Sequence, residues 1–112
     1  MASLYLGTGG LEQALAQEVS TALDRKKELC CQFLLDHLRG TRGSPNSCSI
    51  LQPIVRRYHP RASLSLYHTP NFRGLRKKLI PERFNEGMGL QHMKFFVIDN
   101  NVLITGYAYV LC

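Results

Sequence analysis

The 112-residue sequence contains no Cys-x-x-Cys pair, and its four cysteines lie at positions 30, 31, 48 and 112. Cys30 and Cys31 are adjacent, so in a strand they would point to opposite sides. This spacing favours neither a disulfide framework nor a zinc site, and a reducing compartment is the simpler interpretation.

Membrane-spanning and targeting patterns are also missing. No apolar run approaches the roughly 20 residues that a transmembrane helix needs. The first residues show neither a signal-peptide pattern nor an Arg/Ser-rich amphipathic leader, because a strand-like segment begins at Met1. No internal repeat is visible. Since the sequence starts on a strand-like segment and ends on the apolar Val110-Leu111-Cys112, we expect a fragment of a longer protein.

Acidic residues are few, with eight Asp and Glu against 14 Lys and Arg, a formal net charge of +6 and a pI of about 9.4. This balance indicates an anionic partner: nucleic acid, a phospholipid headgroup surface or a phosphorylated small substrate. With 45% hydrophobic and 20% charged residues, the chain is expected to be one small globular domain.

Alternating strand and helix patterns predict a mixed α/β fold with four or five strands. A short strand through Leu4 and Leu6 precedes a glycine turn, and residues 29–35 predict a second, buried strand that ends at Asp36. The strand, helix, strand order is typical of a parallel sheet with a crossover helix. The helix between them begins near Gly10 and carries an apolar stripe of Leu11, Leu15, Val19, Ala22 and Leu23.

Two turns of this region are candidates for anion binding. The turn at residues 7–10 lacks the P-loop Lys-Ser/Thr and the full GxGxxG spacing, so plain turn chemistry is favoured over phosphate contact. Residues 39–47 are a loop by composition, in which Arg39 and Arg42 could hold an anion with backbone help. A solvated basic loop is the commoner alternative.

A second helix is predicted through Ile50 and Tyr58, capped by Ser47 or Ser49, with Pro53 tolerated only if the helix begins late. Residues 62–67 then alternate as a strand does. His68 and Thr69 follow at its carboxyl end, where open α/β sheets bind ligands, and both are candidates for lining a site. Taken alone, His68 is more often a hydrogen-bonded loop histidine.

Residues 73–83 are the most basic stretch, and they predict either contact with an anionic bilayer or a solvated helix face, with equal weight. Residues 84–90 are irregular and glycine-bearing. A strand is then predicted from His92 to Asp99, with a hairpin turn at residues 99–101. Strand alternation would place His92 and Lys94 on one face, a nucleophile beside a cation, which suits attack on phosphorus.

The spacing His92-x-Lys94-x-x-x-x-Asp99, with Gly106 beyond it, resembles the HKD motif of the phospholipase D superfamily. The stretches at residues 3–9, 34–43, 68–70 and 79–92 are similar to the N-terminal catalytic half of the eukaryotic phosphatidylglycerophosphate synthase family. The resemblance extends to about Gly106.

This resemblance implies a phospholipase D-like mixed sheet flanked by helices, as one partial domain over residues 1–112. It implies transfer of a phosphatidyl group from CDP-diacylglycerol to glycerol 3-phosphate in phosphatidylglycerol and cardiolipin synthesis. His92, Lys94 and Asp99 would be the catalytic residues. His92 would be the nucleophile and Lys94 would bind the phosphoryl oxygens, while Asp99, the third motif residue, would matter more for holding the strand than for proton transfer. His68, Thr69, Arg39, Arg42 and Gly106 would line the substrate site. It implies no metal and no cofactor, an anionic membrane surface as a partner in the mitochondrion, and no nucleic acid.

Two features depart from the family pattern. Tyr107-Ala108-Tyr109 follows Gly106, where family members carry a small residue and an asparagine. The family also uses two HKD motifs, and none of the other histidines begins a second HxK(x)4D. Two alternatives therefore stay open: a single-motif homodimer that cleaves nucleic acid phosphodiesters, and a non-catalytic module that binds anionic lipid through residues 73–83.

Overall fold

The computed structural model describes residues 1–68, 89 and 91–104 of the chain. In this part, five strands form one sheet in the order β3-β2-β1-β4-β5. The strands are β1 (Ala2–Ser3), β2 (Cys31–Asp36), β3 (Ala62–Tyr67), β4 (Phe95–Ile98) and β5 (Asn101–Ile104), and the helices are α1 (Gly10–Arg25), α2 (His37–Thr41) and α3 (Ser47–Tyr58). Strands β1 to β3 are parallel, whereas β4 and β5 are antiparallel to their neighbours. The predicted mixed α/β sheet flanked by helices is confirmed.

The hydrophobic core lies between one face of the sheet and helices α1 and α3. Leu23 of α1 and Leu35 of β2 are fully buried, and each contributes about 1.5–3 kcal/mol by leaving water. The buried cluster consists of Ala16, Leu23, Phe33, Leu35, Leu51, Ile54, Tyr58 and Ala62. Because these residues come from α1, β2, α3 and β3, the crossover helices are held against the parallel part of the sheet.

The end of α1 is fastened to β3 and α3 by polar contacts. Arg61 Nη1 donates hydrogen bonds to the carbonyl oxygens of Leu23 at 3.1 Å, Lys26 at 3.2 Å and Leu29 at 3.3 Å. Helix ends leave such carbonyls without intrahelical partners, so the guanidinium serves as their cap. The hydroxyl of the buried Tyr58 donates to the Ser20 carbonyl at 3.1 Å.

The predicted apolar stripe of α1 is wrong at its first two residues, Leu11 and Leu15, which are both exposed. Leu11 is 86% exposed, because the stripe that packs contains Ala16 and Leu23. At 3.6 residues per turn, Leu11 lies about 140° around the helix from Ala16. The start of the helix at Gly10 is as predicted.

Two element boundaries before α3 also differ from the prediction. The first strand covers Ala2–Ser3 rather than reaching Leu6, because the backbone of Leu6 turns away to bind the side chain of Ser47. Ser47 accepts from the Leu6 N–H at 2.9 Å and donates to the Leu6 carbonyl at 2.6 Å. The predicted loop at residues 39–47 begins as a helix, since α2 extends to Thr41.

Helix α3 is capped by Asn46, one residue before the predicted Ser47. The Asn46 side chain accepts from the Ser49 N–H at 3.0 Å, and the Ser49 hydroxyl accepts in return from the Asn46 N–H at 3.0 Å, which makes a capping box. The helix therefore starts six residues before Pro53, and the expectation of a late start is wrong. The buried side chains Leu51 and Ile54 hold the helix on both sides of the proline.

The hairpin of β4 and β5 turns at Asp99 and Asn100, as predicted, with Ile98 paired to Asn101. Asp99 has a φ of 52°, a conformation that aspartate and asparagine tolerate better than most residues. Residues 73–83 and the segment 84–88 lie outside the described residues. Within the described part, no helix combines the length and the apolar character needed to cross a bilayer.

Candidate active site

Four strand ends meet at one edge of the sheet, which we call the carboxyl edge. Strand β2 ends at Asp36 in register with Tyr67, the last residue of β3. Ala2 of β1 pairs with Phe95 of the antiparallel β4, so the residues before Phe95 lie level with the carboxyl end of β1. Ligands of open α/β sheets bind at such an edge.

Lys94 and His92 are in contact at the carboxyl edge. Lys94 Nζ lies 3.4 Å from Nδ1 and 3.5 Å from Nε2 of the His92 ring, and it donates to the His92 carbonyl at 3.2 Å. Both residues precede β4, which begins at Phe95 rather than at the predicted His92. The carbonyl contact, and not strand alternation, therefore keeps the ammonium beside the ring. His92 is exposed and Lys94 is half-buried, so a ligand can reach the imidazole with the cation beside it.

The carboxylate of Asp36 ties this pair to the rest of the edge. Its Oδ1 accepts from the Arg39 N–H at 3.1 Å, and this bond caps α2. Its Oδ2 accepts from the Gln91 N–H at 3.1 Å. Asp36 is only 4% exposed. One buried carboxylate thus holds the start of α2 and the residue before His92 within a few ångströms of each other.

Gln91 fixes the backbone on both sides of His92. Its Oε1 accepts from the Met93 N–H at 2.6 Å, and the residue is 6% exposed. Its buried Nε2 has no hydrogen-bond partner among the described residues. An unsatisfied buried donor costs about 1–3 kcal/mol, and this one belongs to the residue directly before His92.

Two further histidines pack together where β2 and β3 end. The His37 and His68 rings lie 5.2 Å apart between centroids at an interplanar angle of 63°. His68 was predicted to line the site, and the structure places it at the carboxyl edge, directly after β3. His37 was not predicted as a site residue, although its position after Asp36 at the end of a strand is the same signal that selected His68.

Arg39 and Arg42 line a cleft of about 210 Å³ beside α2. The other lining residues are Tyr5, Leu6, Gly7, Thr8, Pro45, Asn46 and Ser47. Two hydrogen bonds between Leu6 and Ser47 join the two walls of the cleft, because Leu6 follows β1 and Ser47 begins α3. The two arginines predicted to bind substrate thus share one cavity.

Asp99 lies at the far end of β4 from the other two motif residues. With a rise of about 3.3 Å per residue, five residues of strand separate it from Lys94 by roughly 16 Å. Asp99 lies in the hairpin turn, and its predicted role in the motif stays a prediction. Thr69 and Gly106 lie outside the described residues, so their predicted part in the substrate site has no geometry here. Among the residues that are described, no group of three or more His, Cys, Asp or Glu could hold a metal ion.

Over 95% of its length, the chain matches enzymes named CDP-diacylglycerol--glycerol-3-phosphate 3-phosphatidyltransferase. The identity is 49% over 112 residues with the mitochondrial enzyme of Mus musculus, 47% over 112 residues with that of Homo sapiens, and 45% over 108 residues with the enzyme of Schizosaccharomyces pombe. The chain is similar to these phosphatidyltransferases.

The similarity is confined to one part of each relative. The chain covers 20% of the Mus musculus and Homo sapiens enzymes and 21% of the Schizosaccharomyces pombe enzyme, about a fifth of their length. No protein-family model matches the chain, and no solved structure matches it. The similarity to named enzymes is therefore the only one of these comparisons that bears on chemistry.

Sequence reasoning missed Asp36 and Gln91 as parts of the site. Asp36 was placed only as the end of a strand, and Gln91 only as the residue before the motif. An aspartate between the end of a strand and the start of a helix is a preferred N-cap, and this signal would have identified Asp36. The long-range contact between Asp36 and Gln91 spans 55 residues, and no local pattern in the sequence indicates it.

Proposed function

We propose that the chain is part of a phosphatidylglycerophosphate synthase of the phospholipase D superfamily, with residues 1–112 as one partial domain. It transfers the phosphatidyl group of CDP-diacylglycerol to glycerol 3-phosphate, a step of phosphatidylglycerol and cardiolipin synthesis. The observation that carries the proposal is the contact of Lys94 with His92, in a chain 45–49% identical to enzymes named CDP-diacylglycerol--glycerol-3-phosphate 3-phosphatidyltransferase.

In the first half-reaction, an unprotonated ring nitrogen of His92 attacks the phosphorus atom that bears the diacylglycerol. A nitrogen–phosphorus bond forms, the phosphorus–oxygen bond to CMP breaks, and its electron pair leaves on CMP. A phosphate leaving group with a second pKa of about 6 needs no proton to depart near neutral pH. Lys94, beside the ring, stabilises the charge that gathers on the phosphoryl oxygens.

In the second half-reaction, a hydroxyl of glycerol 3-phosphate attacks the same phosphorus and the bond to His92 breaks. The hydroxyl must give its proton to a base, so the overall transfer releases one proton with CMP. In enzymes with two HKD motifs, the second histidine carries the proton. A second motif is therefore needed for this step and not for the formation of the phosphohistidine.

The remaining predicted residues have supporting roles in this proposal. Asp99 holds the turn that ends β4, while His68, Thr69, Arg39, Arg42 and Gly106 line the substrate site. No metal and no cofactor enter either half-reaction, because Lys94 supplies the positive charge. The enzyme acts at an anionic membrane surface in the mitochondrion. The names of the Mus musculus and Homo sapiens relatives include the word mitochondrial, which supports this location.

The proposal is tested by incubating the purified chain with CDP-diacylglycerol labelled in the phosphatidyl phosphate, without acceptor. Label bound covalently to the protein is expected, in an acid-labile form. His92→Ala removes the nucleophile and is expected to abolish the label. His59→Ala is the matched control, since His59 is an exposed histidine at the end of α3, and it is expected to label as the unchanged chain does.

The two alternatives give different results in the same preparation. Degradation of DNA by a dimer, with no label from the lipid, would support a single-motif nuclease and overturn the proposal. Salt-sensitive binding to anionic vesicles without label would support a non-catalytic lipid-binding module and would also overturn it.

A further inference from the structure

The large apolar side chains that are exposed in the described part form two groups. One group lies along the hairpin of β4 and β5 toward its turn, with Leu15 of α1 as a separate member. The other group lies at the carboxyl edge of the sheet. This second group, which we call the edge anchors, consists of Tyr5, Leu11, Tyr67, Met93 and Ile104. Exposed apolar side chains gathered in one place mark a contact surface for a protein or a membrane.

The topology of the chain brings the edge anchors to this edge. Tyr5 follows β1 and Leu11 lies in the first turn of α1, so both belong to the connection that leaves the carboxyl end of β1. Tyr67 is the last residue of β3. Ile104 ends β5 and pairs with Phe95 at the start of β4. The anchors thus come from five different parts of the sequence and meet at the edge that carries His92.

Met93 is the anchor directly beside the proposed nucleophile. Its N–H donates to Gln91 Oε1 at 2.6 Å, so its backbone is held while its side chain is exposed. Consecutive Cα atoms lie about 3.8 Å apart, and the apolar face of an interfacial helix reaches about 5–10 Å into the boundary between headgroups and acyl chains. A bilayer that takes up the Met93 side chain therefore has its phosphate layer near the depth of His92.

The polar groups of the edge also suit a bilayer surface. Lys94 Nζ, which contacts the ring and the carbonyl of His92, supplies a cation for an anionic headgroup. The acidic groups at this part of the edge are Asp36, whose buried carboxylate accepts two N–H groups, and Glu12, which is half-buried against Gly7. The apolar anchors, more than charge, therefore define the surface. The two tyrosines among them have apolar rings and polar hydroxyls, a combination that favours a membrane interface.

We propose that the carboxyl edge docks on the bilayer, with the edge anchors seated among the headgroups and the first acyl carbons. His92 then meets the phosphorus of CDP-diacylglycerol while the acyl chains of this lipid stay in the membrane. The inference rests on the proposed function, because a lipid donor is what brings a bilayer to His92. The edge anchors position the nucleophile at the membrane and take no part in the bond changes.

The test compares two isoleucines at opposite ends of the hairpin. Ile104 is 80% exposed at the carboxyl edge. Ile98 is 65% exposed, and it lies three residues beyond Phe95, about 10 Å farther along the strand. Binding of the chain to vesicles of phosphatidylcholine and phosphatidylglycerol in equal parts, without donor, is measured by flotation. We expect Ile104→Gln to weaken this binding by about tenfold, because a partly inserted aliphatic side chain contributes roughly that factor by leaving water.

Ile98→Gln is the matched control and is expected to bind the vesicles as the unchanged chain does. Leu11→Gln, on a different element, is expected to weaken binding as Ile104→Gln does, and circular dichroism checks that each variant is folded. Equal affinities of Ile104→Gln and Ile98→Gln would overturn the inference, as would a failure of the unchanged chain to bind. If Lys27→Gln weakens binding and Leu11→Gln does not, the basic turn after α1 docks instead and the inference is wrong.

Labelling with two forms of the donor separates docking from chemistry. One form is long-chain CDP-diacylglycerol in the same vesicles, and the other has short acyl chains and is dissolved as monomers. Ile104→Gln is expected to label at His92 more slowly than the unchanged chain with the vesicle-borne donor, by the factor lost in binding, and at an equal rate with the dissolved donor. An equal loss with both donors would overturn the docking inference.

The proposed function fails separately from the docking inference. An unchanged chain that is labelled by neither donor contradicts the proposed function. The comparison of Ile104→Gln with Ile98→Gln in vesicle binding uses no donor, so it still decides whether the carboxyl edge docks.

Discussion

Replacing Asp36 by asparagine should both destabilise the chain and displace the nucleophile. The carboxylate accepts two backbone N–H groups, from Arg39 and Gln91, each at 3.1 Å. An asparagine has one oxygen, so one of the two N–H groups would face an NH₂ group instead. The change keeps the size of the side chain and removes only the second acceptor and the charge.

The magnitude follows from the number of bonds and their burial. A hydrogen bond to a charged group contributes about 1.5–3 kcal/mol, and a buried donor left without a partner costs a similar amount. With Asp36 only 4% exposed, water does not replace the lost acceptor. We therefore expect Asp36→Asn to lower the free energy of unfolding by about 2–3 kcal/mol, a large share of the stability of a small domain.

The measurement is urea unfolding followed by circular dichroism, together with labelling of His92 under native conditions. Asp24→Asn is the matched control, since Asp24 forms an exposed ion pair with Arg57 at 3.2 Å. Such pairs contribute about 0–1 kcal/mol. Equal losses of stability in the two variants, or normal labelling of His92 in a folded Asp36→Asn chain, would refute the positioning role of Asp36.

Three further outcomes follow from the same contacts. Asp99→Asn is expected to change the unfolding free energy by less than about 0.5 kcal/mol, because asparagine also adopts a φ near the observed 52°. The variant should also keep the labelling of His92, and loss of label in a folded variant would show that Asp99 takes part in the chemistry. Burial raises the pKa of the Tyr58 hydroxyl, so this hydroxyl ionises at a lower pH in the unfolded chain than in the folded one. The unfolding free energy, measured by urea unfolding, should therefore fall as the pH rises above about 10. An equal fall in Tyr58→Phe would contradict this. Burial also raises the pKa of the Cys31 and Cys48 thiols, so iodoacetamide should alkylate the exposed Cys30 before Cys31 and Cys48. Peptide mass spectrometry checks this order, and faster modification of Cys48 than of Cys30 would be inconsistent with the packing of α3.

The sheet and the crossover helices were predictable because their signals are local. The alternation of Leu64 and Leu66 with serines predicted β3, and the glycines before Gly10 predicted the start of α1. Burial was less predictable, because Leu11 has the same chemistry as Leu23 and yet is exposed while Leu23 is buried. The apolar pattern identifies a helix but does not indicate which of its turns pack against another element.

The proximity of His92 and Lys94 was predictable from the sequence, whereas the residues that hold them in place were not. The spacing of His92 and Lys94 placed both on one surface, and they are in contact, although the contact runs through the His92 carbonyl rather than through a strand. Asp36 and Gln91 are joined across 55 residues. Such a contact depends on the sheet order, in which β4 joins the edge beside β1, and that order follows from packing of the whole chain.

The most direct test of the account is to identify the residue that carries the phosphatidyl group. The chain is incubated with CDP-diacylglycerol in the absence of glycerol 3-phosphate, digested under alkaline conditions, and examined by tandem mass spectrometry. We predict the added mass on His92, its transfer to glycerol 3-phosphate when the acceptor and a second HKD-bearing segment are supplied, and a marked loss of the adduct in Lys94→Gln. Release of CMP without modification of His92, or an adduct on another residue, would contradict the central claim that His92 is the nucleophile.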